Sequence, residues 1–305
     1  MNWFFIALIT PFAHSIANFI DKILLSKYFH SFSLFVFIIY SAITSIIVLP
    51  IFIIFGGVDI LKIPFYDILL LIAAGICSAV AIYFYLFALY REDTSVVVPF
   101  FQLIPIFSFI LGFFILRETL SAGQIIGSII IIFGAVLLSI EIEEGKKIRF
   151  RRHVIFAMVA MALLMALGGV MFKFVASSNN FWLSNFWESV GFALFGTAIF
   201  IIRKKDREAF YDSVRLHKLK ITLSVLLSEI ITLGGNLTLN FAFLLAPIAL
   251  IRTVEGYQAV FALIIGIAIT KMFPKILQEK MHWKHMVPKI LTIIVVLIGS
   301  YLILS

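Results

Sequence analysis

Residues 247–270 read PIALIRTVEGYQAVFALIIGIAIT, and this segment is mostly apolar. As a helix, its 24 residues would measure about 36 Å, which is enough to cross a bilayer. Arg252 and Glu255 nevertheless lie in its first half. Insertion scales assign about 2.5 to 3.5 kcal/mol to a charged side chain at mid-membrane. The two residues are three apart, close enough to face each other on a helix. A membrane helix that carries such charge predicts a functional site.

This segment has a counterpart in the first half of the chain. A gapless shift of 154 residues lays 88–112 on 242–266, so that Gly112 meets Gly266. A shift of 151 aligns the first apolar segment of each half, and one of about 165 aligns the last. Repeats of five segments each would leave the second half inverted in the membrane, a design typical of secondary transporters.

The composition indicates an integral membrane protein. The chain has 305 residues, of which 63% are hydrophobic, and its mean hydropathy is +1.14. Soluble domains contain about 45–50% apolar residues. The 13% of charged residues lie mostly between apolar segments, so the net charge of +8 predicts cytoplasmic loops rather than nucleic-acid binding. Cys77 is the single cysteine, which excludes an intramolecular disulfide and a cysteine-rich metal site.

Ten apolar segments predict an all-α membrane protein with ten transmembrane helices. Their approximate ranges are 2–22, 34–56, 67–90, 94–116, 120–140, 153–176, 181–202, 220–245, 247–271 and 286–304. The predicted organisation is a five-helix repeat at 1–140, a polar connection at 141–152 and a second repeat at 153–305. Lys and Arg concentrate in the connections after odd-numbered segments, which favours a cytoplasmic location for those connections and termini outside.

One stretch carries a resemblance to a known family. Residues 97–139 read VVPFFQLIPIFSFILGFFILRETLSAGQIIGSIIIIFGAVLLS, with Pro105, Arg117-Glu118, Gln124, Gly127 and Gly134 at characteristic positions. They resemble the EamA family of the drug/metabolite transporter superfamily. The resemblance implies alternating-access carriage of a small solute, often export, across the cytoplasmic membrane of a bacterium or archaeon. It also implies cytoplasmic termini, against the charge distribution. The superfamily covers amino acids, sugars, nucleotide sugars, drugs and lipid-linked sugars, so the solute stays open.

Polar side chains concentrate on the first, eighth and ninth segments, whereas their repeat counterparts are mostly apolar. Thr10, His14 and Asn18 recur every four residues, and Glu229, Thr232, Asn236 and Asn240 recur at spacings of three, four and four. The predicted substrate-binding residues are His14, Asn18, Gln102, Glu229, Asn236, Arg252, Glu255 and Tyr257. Two alternatives are helix packing for the stripe on the first segment and a salt-bridge network of Glu229, Arg252 and Glu255 that locks segments eight and nine.

The sequence contains no nucleotide-binding loop, paired His–Glu metal motif or nucleophile elbow, so we expect no enzyme, cofactor or metal site. The predicted function is secondary active transport of a small polar or amphiphilic metabolite or drug, with export and proton coupling as its extensions. The alternatives are a flippase for a lipid-linked sugar or other amphiphile, and a non-transporting scaffold or sensor. The expected partners are a small-molecule solute and membrane lipid. The glycine pair Gly123 and Gly127 suggests a homodimer face.

Overall fold

The computed structural model describes residues 2–28, 34–57, 59, 62–91, 97–139, 152–216, 219–272 and 283–304. These residues are helical with short connections, and none of them forms a strand. The α-helices are α1 Asn2–Tyr28, α2 Leu34–Gly56, α3 Phe65–Leu89, α4 Leu103–Leu111, α5 Ala122–Ser139, α6 Arg152–Ala176, α7 Phe181–Ile202, α8 Lys204–Leu216, α9 Leu219–Phe243, α10 Ile248–Val254, α11 Tyr257–Met272 and α12 Trp283–Leu304.

Eight helical segments of the described chain are long and apolar enough to cross a membrane. They are Trp3–Asp21, Phe35–Gly56, Phe65–Leu89, Pro99–Leu116, Arg152–Ala176, Phe181–Ile202, Leu223–Phe243 and Ile248–Ile269. Two shorter apolar helical segments, Ala122–Leu137 and Ile290–Leu304, accompany them. The prediction of an all-helical, multi-pass membrane protein is confirmed. The polar connection predicted at 141–152 lies, apart from Arg152, outside the described residues.

Two of the membrane segments depart from a regular α-helix, and we call the place where each changes its hydrogen-bond pattern a break. The segment before α5 begins as a 3-10 helix at Val98–Gln102, continues as α4 and ends as a π-helix at Gly112–Leu116. The segment formed by α10 and α11 is broken at Glu255 and Gly256. At that break the N–H groups of Gly256, Gln258 and Ala259 bond to carbonyls three residues back. A continuous α-helix would bond four residues back, so the chain tightens locally there.

The helices of the two halves interleave. In the first half, α1 packs along α9 and against α11, while in the second half α6 packs along α3 and against α4. The remaining close pairs are α2 with α7 and α5 with α12. Two further contacts differ in extent. Helix α3 packs along α7, whereas α9 touches α2 over only a few residues.

Close packing of α5 on α12 uses glycines from both helices. A Cβ atom built on Gly127 would lie 2.6 Å from the Gly299 carbonyl oxygen, and one built on Gly299 would lie 2.8 Å from the Gly127 carbonyl oxygen. Gly123 also faces α12, since its Cβ would lie 3.4 Å from the Leu302 carbonyl oxygen. The face marked by Gly123 and Gly127 is therefore occupied within the chain, and the homodimer stays a prediction.

Side-chain contacts define two ends of the bundle. At one end, which we call the tight-turn face, lie the short connections 117–121, 177–180 and 244–247. There the Asn180 side chain caps α7 by accepting from the Trp182 and Leu183 N–H groups. At the other end, the basic face, α8 packs on α2 and α7. The Arg203 guanidinium there lies 4.1 Å from the centre of the Phe35 ring.

Candidate functional site

The polar stripes of α1 and α9 meet in the middle of the bundle. His14 Nε2 lies 3.1 Å from Asn236 Oδ1. One turn away, the Thr10 hydroxyl donates to the Gly235 carbonyl at 3.1 Å and lies 3.1 Å from the Thr238 hydroxyl. The recurrence of these residues every four positions puts them on one face of each helix, and that face brings the two stripes together.

These stripes lie on the side of each helix that points away from lipid. On α1 the large exposed apolar residues Phe5, Ile9 and Phe12 form one face. At about 100° per residue, His14 and Asn18 lie on the opposite face. Asn18 is nevertheless exposed, as is Asn236 on α9. We call the region between the helices that these exposed polar side chains face the central cavity.

Arg252 lies at the end of α10, beside the break before α11. Its guanidinium donates to Glu255 Oε2 at 2.8 Å and to the Met165 carbonyl at 3.2 Å, and it lies 5.0 Å from the centre of the Phe243 ring. The Arg252 side chain is buried, and its Nε atom has no hydrogen-bond partner among the described residues. Both Arg252 and Glu255 lie within electrostatic reach of the His14 ring. The structure thus joins four predicted residues, His14, Asn236, Arg252 and Glu255, into one cluster.

A second acid reaches this cluster from α7. The Asn240 side chain donates to Glu188 Oε2 at 2.7 Å and to Asn185 Oδ1 at 2.8 Å. Glu188 is also within electrostatic reach of Arg252. Glu188 and Asn185 are absent from the predicted substrate-binding residues. They stand three apart within FWLSNFWESVGF, a spacing that puts them near one another on a helix and that offered the signal.

Glu229 has different neighbours from those expected of a salt-bridge network. Its Oε1 accepts from the Ser41 hydroxyl of α2 at 2.7 Å. Nearby on the α1–α9 contact, the Ser228 hydroxyl donates to Asp21 Oδ1 at 2.6 Å and to the Ala17 carbonyl at 3.2 Å. Glu229 and Asp21 interact electrostatically. The pair Arg252–Glu255 therefore lies within one segment, and the expected three-residue network with Glu229 does not form among the described contacts.

Gln102 and Tyr257 occupy more enclosed positions. Gln102 ends the 3-10 helix before α4; it is buried, and its Oε1 has no partner among the described residues. Tyr257 begins α11, and its hydroxyl lies 2.6 Å from the Ser300 hydroxyl of α12. Tyr257 thus contacts α12 rather than the His14–Arg252 cluster in the described contacts. Its role as a substrate contact stays a prediction.

An ion pair at the tight-turn face ties the two halves together. Glu118 pairs with Lys173 of α6 and accepts from the Ile248 N–H of α10 at 2.8 Å. Lys173 also donates to the Ala246 carbonyl at 2.7 Å. The preceding π-helix and Arg117, whose φ is 59°, turn Glu118 into this position. We call this group the Glu118 latch; it joins the connection after the π-helix to α6 and to the start of α10.

Chemically, the central cluster can bind a polar group and exchange protons, because it combines carboxyl, imidazole and amide side chains in one place. Among the residues that the structure describes, no three His, Cys, Asp or Glu side chains come together in an arrangement suited to a metal ion.

The comparisons with known proteins agree with these features. Residues 1–140 match the profile described as "EamA-like transporter family". Chains of solved structures also match, 25 in number. One of them, titled "Crystal structure of protein", has a TM-score of 0.70 and 13% sequence identity, and the match covers 97% of this chain and 95% of that chain. At that identity the likeness shows a common fold alone. No curated protein matches the sequence. The first 140 residues, which are a little under half of the chain, are thus similar to the EamA-like transporter family.

Proposed function

We propose that this protein is a secondary active transporter that exports a small polar or amphiphilic metabolite or drug across a cytoplasmic membrane. It works by alternating access, with ten spans arranged as two inverted five-helix repeats and the solute bound in the central cavity. The match of residues 1–140 to the EamA-like transporter family supports transport at the general level. The arrangement of the described residues supports the finer statements.

The observation that carries this proposal is the pair of matching breaks in the two halves. The shift of 154 residues lays Gln102 on Gly256, so the end of the 3-10 helix and the break beside Glu255 fall at equivalent places. Interrupted helices at corresponding positions of two repeats are the best sequence-level indication of a transporter's binding site. At both places the backbone bonds three residues back instead of four, and a short 3-10 stretch inside a helix often marks a functional hinge.

The packing of the helices also supports inverted repeats. If α1 and α6 are equivalent, and likewise α3 and α9, then the contact of α1 with α9 and that of α6 with α3 are the same contact made twice. The contacts of α1 with α11 and of α6 with α4 are related in the same way. Two helices that each cross into the other half permit the halves to rock about the central cavity.

Proton coupling would use the carboxyl groups that border this cavity. Glu229 bonds only to a hydroxyl among its described hydrogen bonds, and Glu255 pairs with Arg252. A solute that displaces either partner changes the balance between the protonated and ionised carboxyl, so binding and proton release become linked. In this scheme Arg252 either contacts the solute or holds Glu255 in position.

The test is a proton-flux assay in liposomes that contain the purified protein, with solutes added one at a time. We expect one class of solute to trigger a pH change, and we expect Glu229→Gln or Glu255→Gln to abolish it. Arg252→Ala should reduce solute flux as well, since it leaves Glu255 without its partner. Glu208→Gln is the matched control, because Glu208 is an exposed carboxylate that pairs with Lys204 on α8.

The outcomes separate the alternatives. Solute exchange without a pH change would retain transport and reject proton coupling. Full activity and unchanged pH dependence in both Arg252→Ala and Glu229→Gln would reject the central cavity as the site. If no soluble compound produced solute flux or a pH change, the result would favour the flippase, and after it the scaffold or sensor.

The flippase alternative has one specific observation in its favour. Because α9 touches α2 over few residues while α3 packs along α7, the bundle is less tightly closed on the α2–α9 side. A lipid-linked substrate needs a side opening of this kind for its apolar tail. A scrambling assay with a fluorescent lipid-linked sugar would distinguish it, since a carrier of soluble compounds should not move that probe.

A further inference from the structure

A groove at the basic face is separate from the central cavity. It lies between the last turns of α3 and the first turns of α6 and encloses about 460 Å³. Its lining residues are Tyr83, Phe84, Phe87, Arg152, His153, Phe156 and Ala157. None of them belongs to the cluster around His14 and Arg252, and the proposed transport mechanism does not use them.

The lining of the groove is polar at the basic face and becomes apolar deeper in the membrane. Arg152 and His153 stand in the first turn of α6 and are exposed, at the basic face. Phe156 and Ala157 follow one turn deeper, which is about 6 Å along the helix. Phe156 is 71% exposed, a high value for a large apolar side chain. Phe84 of α3 lines the same deeper level.

The rim of the groove is basic and aromatic. The Arg91 guanidinium, just beyond α3, stacks over the Phe87 ring with 3.6 Å between its carbon and the ring centre. The His153 ring meets Phe87 edge-on, with 6.2 Å between the ring centroids. Among the side chains that line the groove, Arg152 and His153 are basic and none is a carboxylate. This combination matches the region where a bilayer presents headgroups above and acyl chains below.

We propose that this groove, which we call the lipid groove, binds an anionic phospholipid from the leaflet at the basic face. The phosphate and anionic headgroup contact Arg152 and His153, and the first part of an acyl chain packs on Phe84 and Phe156. Charge complementarity selects the lipid class, because the described lining offers the Arg152 guanidinium and the His153 ring N–H to a phosphate and no carboxylate to the ammonium of a zwitterionic lipid. The apolar lining below the rim favours a lipid over a free anion.

The experiment is native mass spectrometry of the purified full chain in micelles that contain equal amounts of phosphatidylglycerol and phosphatidylcholine with the same acyl chains. We expect preferential retention of phosphatidylglycerol. Arg152→Gln should lower that retention by about fivefold, the factor expected for one basic residue next to anionic lipid. Arg215→Gln is the matched control, since Arg215 is exposed on α8, which packs on α2 and α7; it should leave retention unchanged.

A second pair of variants tests the apolar part of the groove. Phe156→Ser should lower retention of both lipids, whereas Phe114→Ser, which changes an exposed phenylalanine of the π-helix, should not. Inorganic phosphate at millimolar concentration should fail to displace phosphatidylglycerol. Equal retention of the two lipids by the unaltered protein would overturn the proposal. An equal loss in Arg152→Gln and Arg215→Gln would also overturn it.

Discussion

Gly235 of α9 leaves a space that the imidazole ring of His14 fills. A Cβ atom at this position would lie 2.9 Å from both Cδ2 and Nε2 of that ring. The neighbouring Gly234 has open space around it, with nothing within 4 Å of its Cβ position. The two adjacent glycines therefore differ in what a side chain would meet, and they form a natural pair for testing the His14 contact.

We predict that Gly235→Ala displaces His14 from Asn236 and reduces solute flux. Overpacking of this kind costs about 1 to 3 kcal/mol in the free energy of unfolding. Gly234→Ala should instead leave flux unchanged and add up to about 1 kcal/mol of stability through helix propensity. Thermal unfolding in detergent and flux in liposomes measure both effects. Equal losses in the two variants would show that the contact with His14 is not the cause.

The Glu118 latch gives a second prediction for single residues. Glu118→Gln keeps an acceptor for the Ile248 N–H but leaves the Lys173 ammonium without its partner. The two side chains are 16% and 12% exposed. We therefore expect a loss of about 2 to 3 kcal/mol in the free energy of unfolding, somewhat below the value for a fully buried pair.

Glu208→Gln is the control for the latch. Its partner Lys204 is 3.7 Å away, and their side chains are 59% and 78% exposed. Exposed pairs contribute about 0 to 1 kcal/mol, so denaturant unfolding should show a much smaller change than in Glu118→Gln. A loss as large as that of Glu118→Gln would mean that the latch adds nothing beyond general charge effects.

For single residues, the sequence predicted which polar side chains share a helix face better than it predicted their hydrogen-bond partners. The spacing of His14 and of Asn236 was sufficient to place each in a stripe, because a helical period is visible in the chain itself. The partner of Glu229 was not predictable, since Ser41 is 188 residues away and hydroxyl groups are common in membrane helices. Glu118 was singled out only as part of the family resemblance, and its contacts with Lys173 and Ile248 depend on the packing of three separate segments.

Among the helical elements, the two interrupted segments are the least regular. The sequence predicted both as apolar spans but did not reveal either break, because hydropathy is insensitive to whether a backbone bond spans three residues or four. Gln102 marks the first break, and its Oε1 is buried without a partner among the described residues. An unsatisfied buried polar atom costs about 1 to 3 kcal/mol.

We predict that Gln102→Leu stabilises the fold and impairs transport. Removal of the unpaired amide should raise the unfolding temperature, because leucine has a similar volume and no polar group to satisfy. Solute flux should fall, because the first of the two breaks loses its polar side chain. Ser108→Ala, which removes another buried oxygen without a described partner, is the control; it should affect flux less. Unchanged flux in Gln102→Leu would remove Gln102 from the site.

At the scale of the whole molecule, polar contacts between the two halves hold the bundle together at the tight-turn face. The Glu118 latch and the Asn179–Asp67 hydrogen bond of 3.1 Å lie there. Asn18, by contrast, is exposed in the part of α1 that approaches the basic face. The central cavity in this structure should therefore be reached from the basic face.

We predict that a membrane-impermeant thiol reagent labels Asn18→Cys from the basic face only. The background carries Cys77→Ala, since Cys77 is a half-buried free thiol. Ser177→Cys, exposed beside α6 at the tight-turn face, reports reagent on the opposite side. Labelling of both cysteines from one side would contradict this arrangement. The same experiment in intact cells identifies the cytoplasmic face, on which charge distribution and family resemblance disagree.

Much of the overall architecture was predictable, because apolar segments of about 20 residues separated by polar connections indicate membrane helices directly. The interleaved packing was not, since the contact of α1 with α9 and that of α3 with α6 leave no local pattern. The short amphipathic α8 was not predicted, because its residues fall between the apolar segments 181–202 and 220–245. Its apolar side chains, such as Phe210 beside Tyr40, pack onto the bundle.

Because α1 packs along α9, their contact can form only late in the synthesis of the chain. Thr10 and Gly235 are joined by a hydrogen bond although 225 residues separate them. A ribosome that adds about 5 to 20 residues per second needs about 10 to 45 s to travel that distance. Throughout that interval the polar face of α1, with His14 and Asp21, is in the membrane before its natural neighbour has been made. Faster elongation between the two helices would shorten the time for which that polar face lacks its partner.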